Sequence, residues 1–283
     1  MPDLSAAPSL LPLYAKAAAT APLHRGDSLP SSVYTLADQT IDPAHLAAFQ
    51  RVCGFPVSDV LPPTYLHVLA FPLSVALMTQ RAFPFPLVGM VHVANSITLA
   101  RAVRTDEKVS FTVRAADLRS HAAGRQFDLL AEARVGDEPV WSGRSTYLRR
   151  GKAESGTPRS DARRELAPQS GTVALVRVPG DVGRRYGAVS GDRNPIHLHK
   201  LAAKAFGFPS AIAHGMWLKA RTLATLQGRL PEAYTVDVAF KLPVLLPATV
   251  AISGEQDGQT WTLDVRGSRS GKPHLAGTVR PPE

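Results

Sequence analysis

Apolar and polar residues alternate over short runs in two separate parts of the chain. Val91 to Leu99, Val109 to Ala115, Phe127 to Val135 and Val140 to Leu148 make one set; Val236 to Val244, Thr249 to Ser253, Thr260 to Arg266 and Leu275 to Val279 make the other. Alternation with a period of two predicts half-buried strands. Each set follows a largely apolar segment, Tyr65 to Met78 and Met216 to Leu226, which reads as a helix. One central helix followed by a run of antiparallel strands, twice over, is an α+β pattern.

The two sets are copies of one another. Gly124, Phe127, Leu129, Pro139 and Gly143 match Gly258, Trp261, Leu263, Pro273 and Gly277 at a constant offset of 134. Upstream, Phe49, Val52, Cys53 and Gly54 match Tyr186, Val189, Ser190 and Gly191 at an offset of 137, whereas Pro62 and His67 match Pro209 and His214 at 147. The second copy therefore carries 10 extra residues, and they fall in the region of DRNPIHLHK. Gly151 to Gly171 is rich in Gly, Ser, Pro and charge, and reads as a linker. The expected organisation is an N-terminal domain over residues 1–150, a linker over 151–171 and a C-terminal domain over 172–283. The opening 22 residues read as a loosely packed arm, with no basic start and with Pro8 and Pro12 interrupting their apolar part, so a signal peptide is not expected.

A chain of 283 residues with 45% hydrophobic and 19% charged residues can fill two cores. No apolar run approaches the roughly 18 residues of a membrane span, so no membrane partner is expected. Cys53 is the sole cysteine, which rules out an internal disulfide or a thiolate metal cluster and fits the cytoplasm; it reads as a small buried apolar residue. The net charge of +9 suggests acidic partners. Aromatics are only 7% and do not interleave with the basic residues, so nucleic acid is a poor fit, and a phosphate-bearing small molecule or an acidic carrier protein is a better one. Neither a G-x-G-x-x-G nor a G-x-x-x-x-G-K motif is present, and no cofactor is expected.

The chemistry concentrates in SGDRNPIH, Ser190 to His197, followed by His214-Gly215-Met216. Asp192 and His197 are five apart, a spacing that on a helix would rotate them about 140° from each other. Pro195 argues against a helix, so a turn is expected to bring the two side chains to one side. A carboxylate and an imidazole so placed are the parts of a general acid and base. In the first copy Phe55 stands where Asp192 would be, and nothing there corresponds to His197.

The segment YGAVSGDRNPIHLHKLAAKAFGFPSAIAHGM resembles the signature of the MaoC-like (3R)-specific enoyl-thioester hydratases, and AFKLPVLLPATV, Ala239 to Val250, looks like their second motif strand. With LPPTYLHVLAFPL and FPFPLVGMVHV in the first half, the chain is similar to actinobacterial double-hotdog (3R)-hydroxyacyl-thioester dehydratases from about residue 25 onward. The resemblance implies a double hotdog: two units side by side on one continuous sheet, each a long helix wrapped by antiparallel strands. It implies reversible syn addition or removal of water on an acyl-CoA or acyl-carrier-protein thioester in fatty-acid metabolism, with no metal. It assigns Asp192 and His197 as the catalytic pair, Gly215 as the oxyanion-binding amide and Asn194 as support. One active site per chain is expected, in the C-terminal half, with the first half and its Leu61 to Met78 region walling the acyl tail.

Blander readings stand beside these. Asp-x-Asn-Pro is a common turn sequence. His197, His199 and His214 could hold a metal, although no matched carboxylate stands out. His214 reads as a structural histidine, and Ser190 and Tyr186 as support for the pair; GAVSG lacks the spacing of a nucleophile elbow. Arg184, Arg185 and Lys241 could meet substrate phosphates or simply be solvated. Acyl-thioester hydrolysis and non-catalytic acyl-thioester binding are the alternative functions. Monomer and homodimer are both compatible with a fused pair of units.

Overall fold

The structure, a computed structural model, describes residues 3–4, 6–20, 26–151 and 171–282. Its elements in chain order are β1 Asp3–Leu4, α1 Leu10–Thr20, β2 Val33–Gln39, α2 Pro43–Cys53, α3 Pro63–Met78, β3 Met90–Leu99, β4 Val109–His121, β5 Gly124–Val135 and β6 Glu138–Arg150. The second half runs β7 Thr172–Val178, α4 Val182–Ser190, α5 Pro195–Leu198, α6 Lys200–Ala205, α7 Gly215–Thr225, β8 Tyr234–Phe240, β9 Ala248–Asp257, β10 Thr260–Gly267 and β11 Pro273–Arg280.

All eleven strands form one sheet in the order β1-β2-β4-β5-β6-β3-β8-β11-β10-β9-β7. Apart from β1, the order is a five-stranded unit followed by its mirror, with β3 and β8 joined antiparallel at the seam. Each unit wraps a central helix, α3 or α7, so the α+β double hotdog expected from the sequence is the observed fold. In α3, Leu66, Leu73, Val75 and Leu77 are fully buried, and burial of each such side chain contributes roughly 1.5–3 kcal/mol. Pro72 sits inside this helix and removes one ladder hydrogen bond, a loss its packed surroundings outweigh.

The halves are tied together by more than the seam. The Nζ of buried Lys219, on α7, donates to Asn95 Oδ1 at 2.6 Å, to Asn95 O at 3.2 Å and to Val236 O at 3.1 Å, so every proton of the ammonium is used. Trp217 Nε1 donates to Val52 O at 3.0 Å.

The repeat has a structural meaning. The offset-137 match is a helix and its stop: α2 and α4 end at Cys53 and Ser190, and Gly54 (φ 81°) and Gly191 (φ 72°) cap them in the left-handed conformation that glycine adopts without strain. The helix ends Met78 and Thr225 keep the 147 offset, but α3 begins at Pro63 and α7 only at Gly215. His67 is therefore inside α3, whereas His214 stands just before α7; the matched residues occupy different local structure. The offset of 134 is not exact across the hairpin either, since Leu263 pairs with Gly277 while Leu129 pairs with Ser145.

Three expectations are corrected. The strand foreseen to Val244 ends at Phe240, because Pro243 and Pro247 cannot donate to a ladder. AFKLPVLLPATV is accordingly the end of β8, a loop and the start of β9, not one strand. The N-terminal arm contains a helix, α1, packed on the core through Leu10, Leu13 and Ala17. The expected linker lies outside the described residues except for Gly151 and Gly171. No helix among the described residues is long and apolar enough to cross a membrane.

Candidate active site

Past Gly191 the chain is folded by a relay of short side chains onto nearby amides. Ser190 Oγ accepts from Asp192 N at 3.2 Å, Asp192 Oδ1 accepts from Asn194 N at 3.2 Å, and Asn194 Oδ1 accepts from Ile196 N at 3.4 Å. The last bond caps α5, and Pro195 opens that helix rather than preventing it. The first helical position needs no N–H and suits the fixed φ of proline. His197 thus sits in a one-turn helix, and the turn expected between it and Asp192 is the capped entry to that helix.

One ligand-type atom from each of Asp192, His197 and His214 lies within 4.8 Å of the others. The imidazoles of His197 and His214 stack with centroids 3.7 Å apart. His197 Nδ1 donates to Ile212 O at 2.9 Å, and since a carbonyl only accepts, its Nε2 carries the lone pair. By the same reasoning His214 Nε2 donates to Asp192 O at 3.0 Å, and its buried Nδ1 has no hydrogen-bond partner among the described residues. Ile212 is itself held by the proline-rich loop: Ala213 N donates to Val244 O and Leu246 N to Ala211 O. That is the role of AFKLPVLLPATV: it fixes the carbonyl that fixes His197.

Burial alone pushes the Asp192 carboxyl up, but the facing His214 and His197 imidazoles and the Asn194 N–H outweigh it and hold the group below its ordinary value. Burial lowers His197, against the pull of Asp192 and the Ile212 carbonyl, and lowers His214 to about 3. At neutral pH the pair is a carboxylate and a neutral imidazole.

Gly215 opens α7 directly after His214, whose side chain makes no capping bond to the helix. The first-turn amides of α7 thus stand one residue from the ring stacked on His197. A Cβ on Gly215 would lie 3.0 Å from the Phe240 ring, so glycine keeps this spot narrow. The N-terminal half also reaches the site. His92 of β3 stacks on Tyr147 of β6 at 4.6 Å and meets Phe240 edge-on at 5.1 Å, and its buried Nε2 has no hydrogen-bond partner among the described residues. Burial, then His67 and Lys219, push His92 down to about 3 despite the opposing field of Asp192. Tyr186 packs on His214 at 4.9 Å and on Phe49 at 6.3 Å.

Two glycines went unnoticed in the sequence. A Cβ on Gly183 would lie 1.9 Å from His197 O, and one on Gly187 would lie 2.9 Å from Asp192 O. These residues, one helical turn apart on α4, let the reactive loop lie against the helix backbone. At the 137 offset the first copy has Leu46 and Gln50, both buried, in their places, and Gln50 binds Ser58 and Val60 of a shorter loop. The aligned copies show only that small residues replace Leu46 and Gln50; that the inserted loop lies against them is visible in the structure alone. Gly183→Ala is expected to displace His197 and lower turnover by roughly 10–100-fold with a smaller effect on folding. Steady-state rates with a melting curve test this, and wild-type turnover would count against the contact.

The other expected residues are peripheral. Arg184 and Arg185 are exposed on α4, His199 is exposed, and Lys241 follows Phe240 outside the cluster. The three histidines weighed as an alternative metal site, His197, His199 and His214, do not form one group; Asp192, not His199, stands with His197 and His214.

Two helix-and-sheet units on one continuous sheet, with an acid and a base gathered beside the N-terminus of one central helix, define a double-hotdog protein of the MaoC-like class. The family model described as MaoC like domain matches residues 167–272. The chain is 38% identical over 271 residues to 3-hydroxyacyl-thioester dehydratase X of Mycobacterium tuberculosis, covering 95% of this chain and 96% of that protein. The crystal structure of the mycobacterial protein, HtdX, matches at a TM-score of 0.79 with 37% identity, over 89% of this chain and 100% of that one. A MaoC-like dehydratase from Phytophthora capsici shares the fold at 16% identity and a TM-score of 0.71, over 90% of this chain and 96% of that one. The chain belongs to the MaoC-like dehydratase family.

Proposed function

We propose that this chain is a (3R)-hydroxyacyl-thioester dehydratase, equivalently an (R)-specific enoyl hydratase and thus a hydro-lyase, working through Asp192, His197 and the Gly215 amide. The observation that carries the reading is the gathering of one carboxylate and two imidazoles within 4.8 Å, with a central helix beginning at the residue after His214. In hydration, a water held by the Asp192 carboxylate gives a proton to His197 Nε2 as its oxygen bonds to C3. The negative charge that reaches the thioester oxygen is held by the Gly215 N–H and the positive end of α7. His197 then returns its proton to the α carbon on the same face, and dehydration runs the steps in reverse. His214 and Asn194 hold Asp192, Ser190 shapes its turn, and Tyr186 backs His214.

The N-terminal domain over 1–150, an arm followed by a hotdog, lies on the acyl-tail side and 172–283 is the catalytic one, with one site per chain, since buried Phe55 replaces Asp192 in the first copy. The half-buried face of α3 at His67 and Phe71 is the candidate tail wall. Arg184, Arg185 and Lys241 are the candidate contacts for phosphates of coenzyme A or a carrier's phosphopantetheine. The single buried thiol is consistent with the cytoplasm. Hydration of crotonyl-CoA with chiral analysis of the product tests the function. A (3R) product is expected; no hydration, or thiol release in its place, would overturn the reading in favour of binding or hydrolysis.

The pH dependence follows from the same groups. Activity is expected to hold at neutral pH and decline only as His197 gains a proton, below the ordinary histidine value of 6.5. A midpoint at or above that value would contradict the neutral-imidazole assignment. Stability changes in the same direction. His214 is lowered to about 3 when folded but titrates near 6.5 when unfolded, so its contribution is complete above 6.5 and is lost as the pH falls toward 3. At pH 5 the loss is about 2 kcal/mol. His67, lowered to about 4, and His92, lowered to about 3, act with the same sign. Urea midpoints at pH 7.5 and pH 5 read the sum, and equal midpoints would refute it.

A further inference from the structure

We propose that Tyr14 is a positioning residue for Asp192, which makes the N-terminal arm a working part of the active site. The inference rests on the functional reading above and adds a residue outside both hotdog units.

Helix α1 turns one stripe inward: Leu10, Leu13, Tyr14 and Ala17, at the i, i+3, i+4 and i+7 spacing of a docked helix. Ala17 is buried, and Leu10 and Leu13 pack against the core. The Tyr14 hydroxyl donates to Gly191 O at 3.3 Å and accepts from Arg193 N at 3.4 Å. Gly191 and Arg193 are the two neighbours of Asp192, so one oxygen grips the backbone on both sides of the catalytic carboxylate.

The contacts come from 177 and 179 residues away along the chain, so nothing local enforces them. Gly191 lies past the end of α4 and Arg193 ahead of α5, and the Arg193 N–H has no place in either helix ladder. Without Tyr14 these two groups would turn to water, and the loop would keep only its own short-range bonds and the His214 contact to Asp192 O. Leu10 supplies an independent contact: a Cβ on Gly191 would fall 2.1 Å from Leu10 Cδ1, so the glycine that reverses the chain also makes the notch that seats α1. The arm is anchored in the other half, where Asp3 and Leu4 pair in parallel with Thr35 and Leu36 of β2. A segment held by the N-terminal sheet therefore acts on the reactive loop of the C-terminal unit.

Both bonds are long, so the expected effect is moderate. Tyr14→Phe in the full chain keeps the ring and its packing and removes only the bridge. It is expected to lower kcat for crotonyl-CoA hydration by about 3–10-fold with KM within about twofold, and to speed hydrogen exchange across residues 190–194, with the melting temperature unchanged. Leu10→Ala, which loosens the seat of α1 on Gly191 and with it the position of the Tyr14 hydroxyl, is expected to lower kcat and speed the same exchange. Wild-type kcat in Tyr14→Phe would overturn the proposal, whatever the exchange. If the parent chain does not hydrate the substrate, the functional reading fails by itself and exchange alone decides: faster exchange supports the bridge, and unchanged exchange overturns it.

Discussion

Asp192→Asn and His197→Ala are each expected to lower the rate of crotonyl-CoA hydration by about 10³-fold or more. Asparagine keeps the shape of Asp192 and its acceptor for the Asn194 amide, but it removes the charge that orients water and balances the imidazolium. Alanine at 197 removes the imidazole whose Nδ1 is fixed by Ile212 O and whose Nε2 lone pair takes the proton in the proposed step. The two act on one proton transfer, so the double variant should be little slower than the worse single one. Losses that multiply would mean two separate steps. Both positions are only partly buried, and the variants should melt near the parent temperature. Activity within tenfold of the parent in a folded variant would remove the pair from the chemistry.

Gly215→Pro is expected to be the next most damaging change, at roughly 10²–10³-fold in kcat. The position is unusual in accepting proline without a backbone conflict. Gly215 is the first residue of α7, where proline is favoured, and His214 has φ −67° and ψ 138°, the extended geometry that a following proline requires. The substitution therefore deletes one N–H and leaves the helix in place. It also adds a Cβ 3.0 Å from the Phe240 ring, so Gly215→Ala is the control that adds the carbon and keeps the amide. If the amide holds the thioester oxygen, proline loses far more kcat than alanine. Equal losses would assign the whole effect to crowding against Phe240 and leave the oxyanion without this donor.

Much of this was legible in the sequence because it depends on local rules. The strands Met90–Leu99, Gly124–Val135 and Thr260–Gly267 appeared as alternation, since one face of each meets a central helix and the other does not. Helix α3 appeared as an apolar run because it is enclosed on almost every side. β2, α2, β7 and α4 were not recognised as elements, being short and weakly patterned, yet the residues closing the two helices had been matched as Phe49 to Gly54 and Tyr186 to Gly191. A shared C-cap is a sequence signal even where its helix is not.

The candidate site was legible as a set of residues but not as an arrangement. Asp192, Asn194 and His197 stand in a segment that the duplicated copy lacks, and that contrast is enough to single them out; His214, matched by His67, and Gly215 follow from the motif beside it. Pro195 misled as to local structure because the same residue forbids a helix interior and favours a helix start, and only the cap supplied by Asn194 decides between them.

The sequence by itself determined the duplicated α+β plan, the half that carries the polar chemistry and the residue types available to it, because periodicity, caps and insertions act over a few neighbours. Tertiary structure alone decided which nitrogen of His197 is free, that Gly183 and Gly187 admit the loop, and that Tyr14 bridges the flanks of Asp192. Each of those depends on an atom contributed by a distant part of the chain, and a hydrogen bond or a close approach between remote segments leaves no spacing to read.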